Sequence, residues 1–217
     1  MHDLSSLRKA VIEGEVSAST AAARLALENG VQPLDLMSQG IVPAMAEVGK
    51  LFEEGEYFVP ELLMSARATK EIFQILRPLL AQTGAQPTAH VVLGTVRGDL
   101  HDIGKNLVAA MLEGGGFEVT DLGVDVPPEA FVAAVKKNPV EIVGLSALLT
   151  TTMPAMKATI EAFRAAGLRD QVKIMVGGAP ITQKYADSIG ADGYSESAAA
   201  TVELARRLTG TCHGVSP

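Results

Sequence analysis

Four short apolar runs in the second half of the chain, each followed by a stretch with helical spacing, constrain the fold more than any other feature. The runs begin at residues 89, 117, 140 and 172 and have the sequences AHVVLGTV, FEVTDLG, VEIVGLSAL and VKIMVGG. A fifth, weaker run at Gly193–Tyr194 precedes a helix predicted from about Ser197 to Leu208. Strands that alternate with helices over short loops form a parallel sheet with helices on both faces. The pattern therefore predicts a doubly wound α/β domain with a five-stranded parallel sheet, Rossmann-like or flavodoxin-like.

The first half of the chain has a helical pattern instead. Apolar residues recur at helical spacing in four blocks, which predicts a small four-helix bundle. Helix starts are predicted at Gln32–Pro33 and at Ser17 or Ser19, because Pro favours the first helical position and Ser favours the preceding cap. Helix stops are predicted at three glycines, since glycine favours the position just past a helix end; these are Gly14, Gly30 and Gly55.

The change of pattern falls in a short segment that is typical of a linker. Six of the 21 glycines lie in residues 1–85 and fifteen in residues 86–217. The segment Thr83–Pro87 contains a Gly, polar residues and a Pro after a long helical pattern. We therefore expect a helical bundle at residues 1–85, an α/β domain at residues 86–217, and a hinge between them.

Composition excludes several classes of protein. The 217 residues are 47% apolar, carry one Cys and have a net charge of −7, which argues against a disordered chain and a disulfide scaffold. With 18 basic against 25 acidic residues and no basic run, nucleic acid is an unexpected partner. No apolar stretch is long enough to span a membrane, and the first residues lack the apolar core of a secretory signal. We expect a cytoplasmic globular protein.

The loop after the first predicted strand carries the strongest chemical signal. Ligands of such sheets bind outside the carboxyl ends of the strands. Asp99 and His101 are two residues apart there, so in an extended loop the carboxylate can hold one imidazole nitrogen and leave the other for a metal. Gly98 and Gly104–Lys105 do not form a phosphate-binding loop, because five residues separate the glycines and Asn106 follows the lysine. From these residues alone, an ordinary loop histidine remains the alternative.

Three elements taken together resemble a known family. Asp99-x-His101-x-x-Gly104, Ser146-x-Leu148 and Gly177–Gly178 occur in order after successive strands, as in cobalamin-binding domains in which a protein histidine replaces the cofactor's own base. The segment LFEEGEYFVPELLMSARATKE, which begins at residue 51, resembles the helical cap of cobalamin-dependent methionine synthase. The whole chain is most similar to the stand-alone corrinoid proteins of methyltransferase systems.

The resemblance implies a role for each matching residue. His101 would be the lower axial ligand of cobalt, Asp99 would hold its other nitrogen, and Thr152 would complete the relay with a hydroxyl. Phe52 and Val59 would cover the upper face of cobalt. The remaining implied contacts of the cofactor are Gly98, Asp102, Ile103, Gly104, Ser146, Leu148, Thr150, Gly177, Gly178 and Ala198.

The resemblance also implies a function. The chain would carry a methyl group on a bound corrinoid, as methylcobalamin, from a substrate:corrinoid methyltransferase to a second methyltransferase that uses tetrahydrofolate or coenzyme M. A reductive activator would be a further partner, and the chain would be a subunit rather than a complete enzyme. Two alternatives are a cobalamin-binding sensor or regulator and the small subunit of an adenosylcobalamin mutase. The absence of a basic DNA-reading region argues against the first, and the cap-like segment against the second.

Overall fold

The computed structural model describes residues 3–83 and 88–210. Its described residues fall into two compact units. One unit draws on Met1–Pro87 and Ala110–Phe117, and the other on Thr88–Ala109 and Glu118–Pro217. The predicted linker Thr83–Pro87 lies outside the described residues except for Thr83, so the predicted division between residues 85 and 86 stays a prediction.

The first unit contains the predicted bundle of four helices. They are α1 (Ser5–Ile12), α2 (Val16–Glu28), a third helix in three parts, and α5 (Val59–Thr83). The third helix runs through α3 (Pro33–Asp35), a π-helical segment (Leu36–Ile41) and α4 (Val42–Glu53). Its buried side chains include Leu36, Ile41, Met45 and Val48, which join the core of this unit.

The predicted helix stops are confirmed. Gly14, Gly30 and Gly55 have φ values of +70°, +85° and +75° directly after the caps of α1, α2 and α4. This left-handed backbone is accessible to glycine without strain and turns the chain out of the helix. Pro33 opens α3 as expected. The start predicted at Ser17 or Ser19 is wrong, since α2 begins at Val16 and the buried Ser19 hydroxyl donates to the Val16 carbonyl instead.

The second unit is the predicted five-stranded parallel sheet. Its strands are β1 (His90–Thr95), β2 (Glu118–Asp121), β3 (Ile142–Ser146), β4 (Lys173–Gly177) and β5 (Gly193–Ser195). The connecting helices are α6 (Ile103–Gly114), α7 (Pro128–Lys137), α8 (Met153–Ala165) and α9 (Gln183–Ile189), and α10 (Ala198–Thr209) follows β5. A 3-10 turn (Arg169–Gln171) precedes β4.

The strand order places the predicted loops beside one another. The order is β2-β1-β3-β4-β5, with every neighbouring pair parallel. The chain therefore reverses direction across the sheet between β1 and β3, which is where sheets of this topology bind ligands. In the same register, Thr95 pairs with Ser146 and Ser146 with Gly177, so the three strands end at one level.

No helix in the described part of the chain is long and apolar enough to cross a membrane.

Candidate cofactor-binding site

The loop between β1 and α6 is held in a fixed shape by its own backbone. Gly98 turns the chain with a φ of +82°, and the Asp99 N–H donates to the Val96 carbonyl at 3.1 Å. The Thr95 hydroxyl donates to the His101 carbonyl at 2.8 Å, which draws the far end of the loop back to the strand. The Asp99 and His101 side chains are thus positioned by the strand end.

Asp99 is a fully buried carboxylate that accepts hydrogen bonds from two loops. Oδ1 accepts the His101 N–H at 3.1 Å and His101 Nδ1–H at 2.8 Å. Oδ2 accepts the Leu148 and Leu149 N–H groups at 2.8 and 3.3 Å and the Thr152 hydroxyl at 2.6 Å. The carboxylate therefore joins the loop after β1 to the loop after β3.

These hydrogen bonds decide the protonation state of Asp99. Burial opposes ionisation, but hydrogen bonds from the Thr152 hydroxyl, the Leu148 and His101 backbone and the His101 ring outweigh it and hold the pKa of Asp99 well below its usual range. Asp99 is an ionised acceptor at neutral pH. Thr152 is buried and its hydroxyl has one proton, which it donates to this carboxylate.

His101 has one nitrogen engaged and one available. Because the ionised Asp99 can only accept, Nδ1 carries the proton of the neutral ring, and Nε2 keeps a lone pair. The side chain is 50% exposed, and among the described residues Nε2 has no recorded hydrogen-bond partner. The described residues contain no group of three or more His, Cys, Asp or Glu that could hold a metal. His101, with Nδ1 held by Asp99 and a lone pair on Nε2, suits a single bond to a metal.

The start of α6 lies next to this histidine. Asp102, Ile103 and Gly104 are all exposed, and the Asp102 carbonyl accepts the Asn106 N–H at 2.8 Å. A Cβ at Gly104 would meet no atom within 4 Å, so the space beside the first helical turn is open. A bulky group bound at His101 has room on this side.

The loop after β3 contributes backbone and apolar surface. Ser146 ends the strand half-buried, and its carbonyl accepts the Val96 N–H at 3.0 Å. Leu148, Leu149 and Thr150 are exposed although the Leu148 and Leu149 amides are tied to Asp99. Apolar side chains are thus presented to the outside from a fixed backbone.

The glycine pair after β4 lies against the β3 loop. A Cβ at Gly178 would come within 1.9 Å of the Ala147 carbonyl oxygen, and its φ of +131° is one that side chains rarely adopt. A Cβ at Gly177 would come within 3.3 Å of the Ser195 carbonyl oxygen on the next strand. Ala198, the first residue of α10, follows that strand and is half-buried. The predicted residues after β3, β4 and β5 therefore occur on neighbouring strands.

An exposed apolar rim in the segments that follow β1, β2 and β3 is only partly anticipated by the sequence motifs. It consists of Leu100, Ile103, Val124, Leu148 and Leu149, and Leu100 and Ile103 are 72% and 71% exposed. Leu100, Val124 and Leu149 were outside the predicted set of contacts. The sequence signal for Leu100 is that it is a large apolar residue in an otherwise polar loop. Because it belongs to no helix or strand pattern that would bury it in a core, it indicates a binding surface.

Phe52 and Val59 lie in the first unit. Phe52 is half-buried in the last turn of α4, and Val59 is half-buried at the first position of α5. The turn between them contains Gly55, and Phe58 is 66% exposed. Their contact with the upper face of a cofactor stays a prediction.

Comparison with known proteins identifies the family of both units. A family model described as a B12 binding domain matches residues 89–203, and a second model with the same description matches residues 4–77. A corrinoid protein of Desulfitobacterium hafniense (strain Y51) is 41% identical over 95% of this chain and 97% of its own length. Dimethylamine corrinoid protein 1 of Methanosarcina acetivorans is 43% identical over 94% of this chain and 96% of its own length.

Solved structures agree with the sequence matches. The methanol:cobalamin methyltransferase complex MtaBC from Methanosarcina barkeri contains a chain that is 33% identical, with a TM-score of 0.82 over 95% of this chain and 79% of that one. A cobalamin-binding protein from Desulfitobacterium hafniense DCB-2 is 34% identical, with a TM-score of 0.79 over 96% of this chain and 99% of that one.

These matches show that the chain binds a corrinoid, as the resemblance implied. Because family models match both units and the relatives align over nearly their whole length, the chain belongs to the family of B12-binding corrinoid proteins.

Proposed function

We propose that this chain is the methyl-carrying subunit of a methyltransferase system. One partner methyltransferase transfers a methyl group from a small methylated substrate to the corrinoid, and a second transfers it to tetrahydrofolate or coenzyme M. The observation that carries the proposal is the Asp99–His101–Thr152 relay at the carboxyl end of β1, in which Nε2 of His101 has no hydrogen-bond partner within residues 3–83 and 88–210.

The residues of the second unit fit a corrinoid in three respects. His101 offers one nitrogen of the correct tautomer, which suits a single axial bond. The open space at Gly104 leaves room beside the first turn of α6, and the absence of a side chain at Gly178 lets the loop after β4 lie against the loop after β3. The exposed rim of Leu100, Ile103 and Leu149 suits a large, mostly apolar macrocycle.

In this proposal His101 would hold the cobalt and the loops after β3, β4 and β5 would hold the nucleotide tail. Ser146 and Thr150 would donate or accept hydrogen bonds there, Gly177 and Gly178 would present backbone without side chains, and Ala198 would line the far end. When bound, the corrinoid supplies a cobalt centre that accepts and releases a methyl group. Asp99 keeps the imidazole oriented and stabilises its protonated form when the ring is released.

The relatives support a class of methyl donor. Dimethylamine and trimethylamine corrinoid proteins are 43% and 41% identical to this chain, and the structural relative belongs to a methanol system. We propose a methylated amine or methanol as the class of donor, and a cognate methyltransferase and a reductive activator as partners. We also propose that the system works in the cytoplasm.

Reconstitution with hydroxocobalamin tests the cofactor site. The wild-type protein is expected to retain one cobalt chromophore per chain through gel filtration, with a spectrum that indicates nitrogen ligation. His101→Ala should change the spectrum because the lower nitrogen is lost. An unaltered spectrum in this variant contradicts the role of His101.

His90→Ala is the matched control for loss of an imidazole. His90 lies at the opposite end of β1, where its ring contacts the Pro139 carbonyl at 3.0 Å and the Thr120 hydroxyl at 2.8 Å. The cobalt spectrum of this variant should equal that of the wild type.

Methyl transfer is tested by adding dimethylamine, trimethylamine or methanol with the methyltransferase that copurifies with the chain. Absence of any methyltransferase from that purification contradicts the carrier role.

A further inference from the structure

The turn after β2 contains an unusual backbone conformation. Asp125 has a φ of +52°, and among the described residues it is the single non-glycine residue with a positive φ. Glycine adopts this conformation without steric cost, whereas Asp adopts it at some cost. Contacts of the Asp125 side chain must therefore offset the steric cost of this backbone conformation.

Asp125 contacts the His101 loop through both its backbone and its side chain. Its N–H donates to the Asp99 carbonyl oxygen at 2.9 Å, and its Oδ1 accepts the Gly98 N–H at 2.7 Å. The two contacts bracket the peptide that joins Gly98 to Asp99. They fix the direction in which the Asp99 side chain leaves the backbone, and through Asp99 the position of the imidazole.

The turn that carries Asp125 is itself anchored at both ends. The Val126 N–H donates to the Thr95 carbonyl at 2.9 Å, and the Thr95 N–H donates to the Gly123 carbonyl at 3.0 Å. Asp121 Oδ1 accepts the Gly123 N–H at 2.8 Å, and its other oxygen pairs with Lys105, whose side chain is 2% exposed. Asp125 therefore acts from a rigid support rather than from a free loop.

We propose that Asp125 is a positioning residue for the cobalt ligand, which rests on the function proposed above. Its carboxylate accepts the Gly98 N–H, so that Asp99 and His101 keep their positions when another ligand competes with His101 for cobalt. Without that acceptor, the loop gains freedom and the imidazole binds cobalt less tightly, although Asp99, His101 and Thr152 are all present.

Cyanide titration of the hydroxocobalamin-loaded protein tests the proposal, because excess cyanide displaces the lower ligand and changes the visible spectrum. Asp125→Gly adopts the turn without strain but removes the acceptor. We expect displacement at about tenfold less cyanide, which corresponds to loss of one charge-assisted hydrogen bond. Asp125→Asn keeps an acceptor oxygen and tolerates positive φ, so it should stay within about twofold of the wild type.

Two controls keep the experiment decisive. Glu129→Ala removes an exposed carboxylate four residues further on and should leave the titration unchanged. The thermal unfolding midpoint of each apo variant shows whether the fold is intact.

The outcomes separate this inference from the proposed function. If Asp125→Gly requires as much cyanide as the wild type, or if Asp125→Asn is displaced as readily as Asp125→Gly, the positioning role is wrong. A wild-type protein that retains no chromophore contradicts the proposed function instead.

Discussion

At the scale of single residues, Asp99 links more of the site than His101 does. Its two oxygens accept five hydrogen bonds from residues in two loops about fifty positions apart. A buried carboxylate is stable only when such donors surround it. The two loops therefore stabilise the buried charge of Asp99, and the carboxylate in turn holds the two loops together.

Asp99→Asn should lower the free energy of unfolding of the apo protein at neutral pH by about 1–3 kcal/mol, because the amide nitrogen cannot accept the donors that one oxygen holds. The pKa of Asp99 is lower in the folded than in the unfolded protein, so its stabilising effect is present above about pH 4 and is lost as the pH falls. The difference in the free energy of unfolding between the wild type and Asp99→Asn should therefore become smaller from pH 6 to pH 3. Urea unfolding at several pH values measures this difference, and a difference that does not change with pH would contradict the prediction.

The same substitution should change proton uptake in the loaded protein. In the proposed function, reduction would release His101 from cobalt, and the Asp99 carboxylate would stabilise an imidazolium there whereas an amide would not. Uptake measured during reduction in weakly buffered solution should be smaller in Asp99→Asn. Equal uptake in both proteins would remove Asp99 from the proton relay.

At the scale of elements, the site depends on the contact between the loops after β3 and β4. Gly178→Ala places a Cβ where the Ala147 carbonyl oxygen stands, so the loops must separate. We expect a lower unfolding midpoint and faster loss of hydroxocobalamin during gel filtration. Gly167→Ala controls for backbone strain, since Gly167 has a φ of +70° but a Cβ there meets no atom within 4 Å. Equal cofactor retention in the two variants would show that the contact is unimportant.

The elements also show which features a sequence can predict. Apolar runs and turn glycines are local signals, and they predicted the strands and the helix ends at Gly14, Gly30 and Gly55. The two-residue spacing of Asp99 and His101 is also local, and it predicted their pairing. The positive φ of Asp125 was not predictable, because it depends on hydrogen bonds to another loop. The start of α2 was missed for a different reason, since Ser19 can serve either as a cap or inside a helix, and here its buried hydroxyl donates to the Val16 carbonyl of its own helix.

At the scale of the whole molecule, the functional proposal requires two units with different tasks. The second unit holds the relay, and the first contains the segment that resembles a cap. A cap must exclude water from the upper face and still admit a methyl donor, so it must move when a partner docks. The hinge predicted at Thr83–Pro87 stays a prediction, because within that segment only Thr83 belongs to the described residues.

Phe52→Ala tests the cap. If Phe52 covers the upper face, methylcobalamin bound to the variant should lose its methyl group faster under light, while the cofactor is retained. Leu25→Ala removes an exposed apolar side chain of the same unit and serves as the control. An unchanged photolysis rate together with a lower unfolding midpoint would identify Phe52 as an ordinary core residue.

The π-helical segment Leu36–Ile41 has a consequence for how the length of this chain can vary. A π turn contains one residue more than an α turn, so loss of one residue here would leave an α turn, whereas loss of a residue from a regular α-helix rotates everything beyond it by about 100° around the helix axis. Deletion of the exposed Ser38 would therefore keep both Leu36 and Met45 facing the core. Gly40 in the same segment is restricted in another way, because a Cβ there would come within 2.9 Å of the Leu7 side chain. A one-residue gap is thus compatible with this helix at the π turn and not in its α-helical parts.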